Sequence, residues 1–334
     1  MTRQPYTDAI RERVIVFDGA FGTFVQGLDL GPDDFGGPSL EGCNEMLTLT
    51  RPDVIESMHR AFLDAGVDAI ETASFGSFST VLTEYDIPEK AYELNVAAAS
   101  IARRVADEYE AKDGRPRYVA GSIGPGTKLP SLGHITFGEL RDAYEEQARG
   151  LIDGGCDLFL IETCMDLLQI KAAMQACRRA MEATGRHVAI QVQVTMETTG
   201  RMLVGTEIGA AYAALVAMKP DAIGINCATG PAEMQEHLRY LSEHSEIPVS
   251  VLPNAGLPSV VDGKTHYDLT PQQLAEFHRH HVADLGIGIV GGCCGTTPEH
   301  LRAVVEAVRG VTPKKRSPVA EPSVTSLYSP VTIE

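Results

Sequence analysis

The chain has 334 residues, 44% of them hydrophobic, enough to bury a large core as one big α/β domain or as two smaller ones. A formal charge of −17 argues against nucleic acid, whose phosphates call for a basic surface; no apolar run nears the roughly 20 residues of a membrane span, and the N-terminus does not read as a signal peptide. The expectation is a cytoplasmic protein that meets neither membrane nor nucleic acid, its seven cysteines serving a metal or catalysis rather than disulfides.

Apolar, β-branched runs recur along the chain at 14 to 19 (VIVFDG), 68 to 73 (DAIETA), 118 to 124 (YVAGSIG), 157 to 163 (DLFLIET), 188 to 195 (VAIQVQVT), 221 to 227 (DAIGINC), 248 to 256 (PVSVLPNAG) and 286 to 292 (GIGIVGG). Between them lie stretches with helical periodicity or helix-forming composition, among them PDVIESMHRAFLDAG, LLQIKAAMQACRRAMEATG and PQQLAEFHRHHVADLG. Thr50, Thr270 and Thr297, each just ahead of a proline, read as N-caps, while Gly66, Gly155, Gly185 and Gly286 read as helix stops. Strand then helix, eight times over, fits a closed (β/α)8 TIM barrel or an open doubly wound sheet.

The unusual residues decide between these two. Asp18, Glu71, Thr72, Ser122, Glu162, Thr163, Asn226, Cys227, Asn254 and Cys293 all fall at the last residues of a strand or just beyond. Polar groups at seven of the eight strand ends converge only if the sheet closes, and in a barrel that end carries the active site. The barrel is expected to fill residues 1 to 312, with a long loop at 28 to 49 as a rim or lid and a Pro-rich linker or tail at 313 to 334.

Cys227 ends the sixth strand, and the vicinal pair Cys293 and Cys294 ends the eighth within a loop of glycines. Alternate strands feed the same interior layers of a barrel, so the three thiols can meet. Three thiolates favour zinc and leave a tetrahedral ion one open position, the mark of a catalytic rather than a structural site. The plainer reading makes them small buried hydrophobes beside a Gly-rich turn. Cys156 and Cys177 read as packing residues, Cys164 as a weak fourth ligand, and His278, His280 and His281 as a solvated helix face. Asp18 and Glu162 are strand-end acids that need a cationic partner or N–H donors: a substrate amine, a neighbouring Lys or Arg, or a turn.

The segments DGAFGTFVQ, GCNEMLTLTRPDVI, GSIGPGT, DLFLIETCMD, GINCATGP, PNAGLP and GGCCGTTPEH together resemble the homocysteine S-methyltransferase family, and within it the homocysteine-binding module of its cobalamin-dependent members. The resemblance runs from about residue 10 to about residue 310. It implies a (β/α)8 barrel with Cys227, Cys293 and Cys294 as Zn2+ ligands and with Asp18 and Glu162 on the homocysteine amino group. Ala20, Phe21, Thr72, Ser74 and Asn226 complete the substrate site it suggests. It further implies a homocysteine thiolate that accepts a methyl group to give methionine. The donor would be methylcobalamin on a separate domain, recharged from 5-methyltetrahydrofolate on another, or, in a stand-alone enzyme, betaine or S-methylmethionine. Asn226 has three readings: orienting the site, filling the open metal position, or forming the strand-end turn. Where relatives carry an ETNTF-type sequence this chain has Glu71-Thr72-Ala73-Ser74-Phe75, and Ala73 cannot make the hydrogen bonds of an asparagine.

Overall fold

The computed structural model describes residues 3–261, 264–319 and 322–333. Eight parallel strands close a barrel: β1 (Ile15–Val16), β2 (Ala69–Glu71), β3 (Tyr118–Ile123), β4 (Leu158–Cys164), β5 (Ala189–Val194), β6 (Ala222–Asn226), β7 (Val249–Leu252) and β10 (Ile289–Val290). The two strands missing from that series, β8 (Pro258–Val261) and β9 (Lys264–Tyr267), form an antiparallel hairpin after β7. Each barrel strand pairs with its neighbours in order, and a parallel bridge from Phe17 to Ala69 joins β1 to β2 and shuts the ring. All eight apolar runs in the sequence are barrel strands, which excludes the open sheet.

Two apolar shells account for the closure. Ile15, Phe17, Ala69, Tyr118, Ala120, Leu158, Leu160, Ala222, Leu252 and Ile289 fill the inside of the barrel. The opposite faces of the strands pack against the helices, with Ile70, Val119, Phe159, Ile161, Val192, Ile223 and Val251 among the buried residues of that outer core. Strands buried on both sides explain why the runs read as continuously apolar rather than alternating. At the N-terminal end of the strands the helix Tyr6–Glu12 inserts Tyr6, Ala9 and Ile10 into the inner shell, and the Tyr6 hydroxyl donates to Gln191 Oε1 at 2.6 Å.

Helix termini follow the sequence signals except at Thr50 and at Gly286, which lies two residues past Asp284, the C-cap of the helix Pro271–Ala283. Thr270 caps the helix Pro271–Ala283 by accepting from the Gln273 amide, and Gly66, Gly155 and Gly185 end their helices in the left-handed region at φ of 98°, 100° and 68°. Thr50 is no N-cap: the helix Pro52–Ala65 starts from Arg51, and the Thr50 hydroxyl donates to the Met46 carbonyl of the preceding turn. The histidines are a second correction. His280 is exposed and pairs with Asp284, but His278 and His281 are each 0% exposed: His278 turns toward the Gly291 carbonyl, and Gln235 of the helix Gln235–His244 packs against His281.

Residues 311–319 run back along the barrel wall. Lys314 N–H donates to Val282 O, Val319 N–H donates to Glu243 O, and the Arg316 guanidinium donates to the carbonyls of Leu241, Ser245 and Ile247 at the C-terminal end of the helix Gln235–His244. A cation there complements the negative end of the helix dipole. A hairpin of β11 (Ser323–Thr325) and β12 (Pro330–Thr332) then lies against the helix Ile208–Val216, where Glu207 N–H donates to Tyr328 O. Replacing Arg316 by Ala should remove about 1.5 kcal/mol of local anchoring. Limited proteolysis within 314–319 is then expected to speed up roughly tenfold while the melting temperature of the barrel hardly moves.

Candidate functional site

The loop that ends β10 is shaped by two glycines. Gly295 adopts φ of 79°, and a side chain there would drive into the ring of Tyr267 on the β8–β9 hairpin, 2.3 Å from the position of a Cβ. A Cβ on Gly292 would lie 2.4 Å from Thr296 Oγ1. The loop is pinned on several sides: Cys293 N–H donates to Pro253 O, Ala255 N–H to Cys294 O, Gly292 N–H to Asp18 O, and Gly295 N–H to the Thr23 hydroxyl. Cys227 approaches from the end of β6 with φ of 59°, followed by Ala228 at 57°, two successive non-glycine residues in the left-handed region.

These constraints bring the sulfurs of Cys227, Cys293 and Cys294 within 4.8 Å of one another, with Cys227 and Cys294 3.8 Å apart. Two sulfurs on one tetrahedral zinc, each about 2.3 Å from it, are themselves about 3.8 Å apart, so the triangle fits such an ion. Hydrogen bonds from Cys227 and then Cys293 lower the pKa of the Cys294 thiol, against desolvation. Cys164 stands outside it: its thiol is buried and donates to the Glu162 carbonyl at 3.3 Å.

Beside the sulfurs lie three buried carboxyls. Asp18 accepts from the Glu71 N–H with both oxygens, at 3.2 and 3.1 Å, and its pKa is raised well above normal by burial, with Glu162 adding to the shift. Glu162 accepts from the Ser122 hydroxyl at 2.6 Å and from Asn226 Nδ2 at 3.1 Å, and burial pushes it up to about 7. Glu71, whose pKa burial also raises, keeps Oε1 buried with no partner. Acids stacked this way lack one thing, a cation.

Carboxyls and sulfurs line one cavity of about 230 Å³ at the C-terminal mouth of the barrel, together with Ala20, Phe21, Gly22, Asn44, Glu45, Thr72, Phe75, Ser122 and Thr163. Of the residues anticipated from sequence, Asp18 lies beneath this cavity and Ala20, Phe21, Thr72 and Glu162 line it. Ser74 and Asn226 stand one layer back. The Ser74 hydroxyl, 0% exposed, is spent on Ser122 O and Thr72 Oγ1. Asn226 donates to Glu162 and Thr163 Oγ1 and accepts from the Thr163 N–H at 2.8 Å, tying the end of β6 to the end of β4. Ala73 sits in an apolar pocket of Val25, Phe35, Leu47, Ile55 and Ile101, where an amide would find no partner in that cluster. Tyr267, Glu45 and Phe75 were not singled out from sequence; the YD step before the Thr270 cap and the family-divergent loop at 71 to 75 were the only pointers.

Comparisons with known proteins agree with this geometry. Residues 15–308 match the family model described as homocysteine S-methyltransferase. The chain is 53% identical over 324 residues to a protein named methionine synthase from Mycobacterium tuberculosis, and 53% identical over 329 residues to its namesake from Mycobacterium leprae. In both cases 97% of this chain is covered but only 27% of the relative, so the chain spans about a quarter of the length of these curated relatives. The metallated form of the homocysteine methyltransferase MmuM from Escherichia coli shares the fold, with a TM-score of 0.72 at 22% identity over 88% of this chain and 96% of that one. Among the described residues no helix is long and apolar enough to cross a membrane.

Two outcomes follow from the geometry. Asn226→Ala strands the Thr163 amide and one Glu162 oxygen, and should cost about 2–4 kcal/mol in chemical denaturation. Glu162 favours its neutral form when folded, so the stability it confers is full below about pH 4.5 and disappears as pH rises through about 7. Metal-free protein should therefore lose stability between pH 5 and pH 8 more steeply than its Glu162→Gln variant, as read from urea midpoints.

Proposed function

The chain belongs to the homocysteine S-methyltransferase family, and from that premise we propose that its barrel mouth binds homocysteine beside a zinc ion and presents the sulfur to a methyl donor, giving methionine. The observation that carries this is a single cavity with a zinc-sized triangle of sulfurs on one wall and carboxyls short of a cation on the other. Homocysteine has a thiol and an ammonium group a short carbon chain apart, and so matches both walls at once.

In this reading Cys227, Cys293 and Cys294 would hold the ion and leave one position for the substrate sulfur. When bound, zinc lowers the pKa of a thiol, which at about 8.5 when free is mostly protonated at pH 7. Asp18 and Glu162 take the ammonium group, with Glu71 Oε1 as a further acceptor beside them. Backbone amides at Ala20 and Phe21 face the substrate carboxylate, while the Thr72 hydroxyl behind them is held by the Ser122 N–H and by Ser74. Asn226 and Ser74 hold Glu162 and Thr72 in place. No residue is needed as acid or base at the methyl group, since the sulfur attacks it directly and the thioether that results has no proton to lose.

The methyl donor follows from the relatives rather than from the cavity. Proteins named methionine synthase, nearly four times as long as this chain, leave room for further domains, and methylcobalamin on one of them, recharged from 5-methyltetrahydrofolate on another, fits that length. A cytoplasmic setting suits a site built from free thiols.

Purified wild-type protein should retain about one zinc per chain and release protons when homocysteine is added. The Cys294→Ser variant should lose both, its zinc affinity falling by more than about 100-fold. Unchanged zinc and thiol binding in that variant would refute the site, and turnover with betaine or S-methylmethionine but none with methylcobalamin would refute the donor.

A further inference from the structure

The two buried histidines that the catalytic reading leaves unused lie directly behind the sulfur triangle. His278 Nε2 is 2.7 Å from the carbonyl of Gly291, the residue that leads into Gly292 and Cys293. His278 Nδ1 is 3.4 Å from His281 Nδ1, and His281 Nε2 is 3.0 Å from Gln235 Nε2. That same Gln235 nitrogen is 3.1 Å from the carbonyl of Pro231, which closes the loop Cys227 begins. A single line of contacts thus joins the loop after β6 to the loop after β10.

Its proton positions are forced. A carbonyl only accepts, so His278 must donate from Nε2 to Gly291. A neutral ring then accepts at Nδ1, which requires His281 to donate from its own Nδ1 and to accept at Nε2. Gln235 must supply that last proton, and its NH2 group has a second one for the Pro231 carbonyl. With one proton per ring every polar atom in the line is satisfied and no charge is buried. Burial favours that neutral state, holding His278 down to about 4.

We propose that Gln235, His281 and His278 are positioning residues that set the separation of the Cys227 loop from the Cys293–Cys294 loop, and so hold the three sulfurs ready for the ion before it arrives. The need for such a brace comes from topology. β6 and β10 do not touch, since β7 lies between them, and on the cavity side their loops are tied to each other through residues 252–255, where Cys227 N–H donates to Leu252 O and Cys293 N–H to Pro253 O. The brace adds a second tie behind the sulfurs, and without it metal binding must fix more of their separation at a cost in affinity. The inference rests on the metal reading of the sulfur triangle.

The test uses the metal-free full chain, with zinc affinity from competition with a chromophoric chelator and folding followed by circular dichroism and urea denaturation. Gln235→Leu and His278→Leu should each weaken zinc binding by about 10–100-fold with the fold intact, and His278→Gln, which keeps an N–H for Gly291 O, should recover most of the loss. Gln235 is half-buried at the first turn of its helix, so its variant decides the matter if His278→Leu does not fold. Wild-type affinity in folded Gln235→Leu, or a His278→Gln variant as weak as His278→Leu, would overturn the brace. Wild-type protein that fails to bind zinc at all would overturn the metal reading beneath it, a separate and distinguishable result.

Discussion

Three sulfurs carried by two strands that do not touch must meet within 4.8 Å, and most of the barrel's upper half can be understood as the means of achieving this. An open sheet would leave β6 and β10 facing different ways. Closure through the Phe17–Ala69 bridge curves them toward one axis and brings Asp18, just after β1, close to Glu162 on β4. The glycines of the last loop then let the chain turn two consecutive side chains inward, and neighbouring loops fix it with hydrogen bonds that Pro253 O and the Thr23 hydroxyl accept and Ala255 N–H donates.

Holding that geometry carries a local cost. Thr163, Cys227 and Ala228 adopt φ of 56°, 59° and 57°, which for residues with a Cβ is worth of order 1–3 kcal/mol each. Such strain persists only where the surroundings over-determine it. At Thr163 the agent is Asn226, whose side-chain amide accepts from the backbone N–H and donates to the hydroxyl of that residue, while also donating to Glu162. Of the residues held this way, Thr163 and Cys227 line the cavity.

The barrel and the cysteine triangle were legible in the sequence because both depend on short-range signals. Strands buried on two sides appear as apolar runs, and a cysteine at the end of such a run has only one place to go. Helix starts were legible where a threonine hydroxyl finds its own backbone, as at Thr270, and illegible at Thr50, where the preceding turn from Met46 competes for the hydroxyl. The histidines were misread for a related reason: polar residues at 278 and 281 look like a wet face until a different helix supplies Gln235. Ser74 and Tyr267 belong to the same class, since their surroundings come from Ser122 and Gly295, far away in the chain. What a single sequence does not display is which distant partner will arrive to satisfy a polar side chain.

The helix Tyr6–Glu12 stops the far end of the barrel, with Tyr6 bonded to Gln191 and Ile10 wedged into the inner shell. The cavity is therefore a cup and not a tunnel. Traffic in a cup is last in, first out: whatever settles against the sulfurs must arrive before a bulky methyl carrier covers the rim, and the product can depart only after that carrier has lifted. On the proposed function, the order of events in a turnover is written into the architecture by a seven-residue helix that touches no substrate.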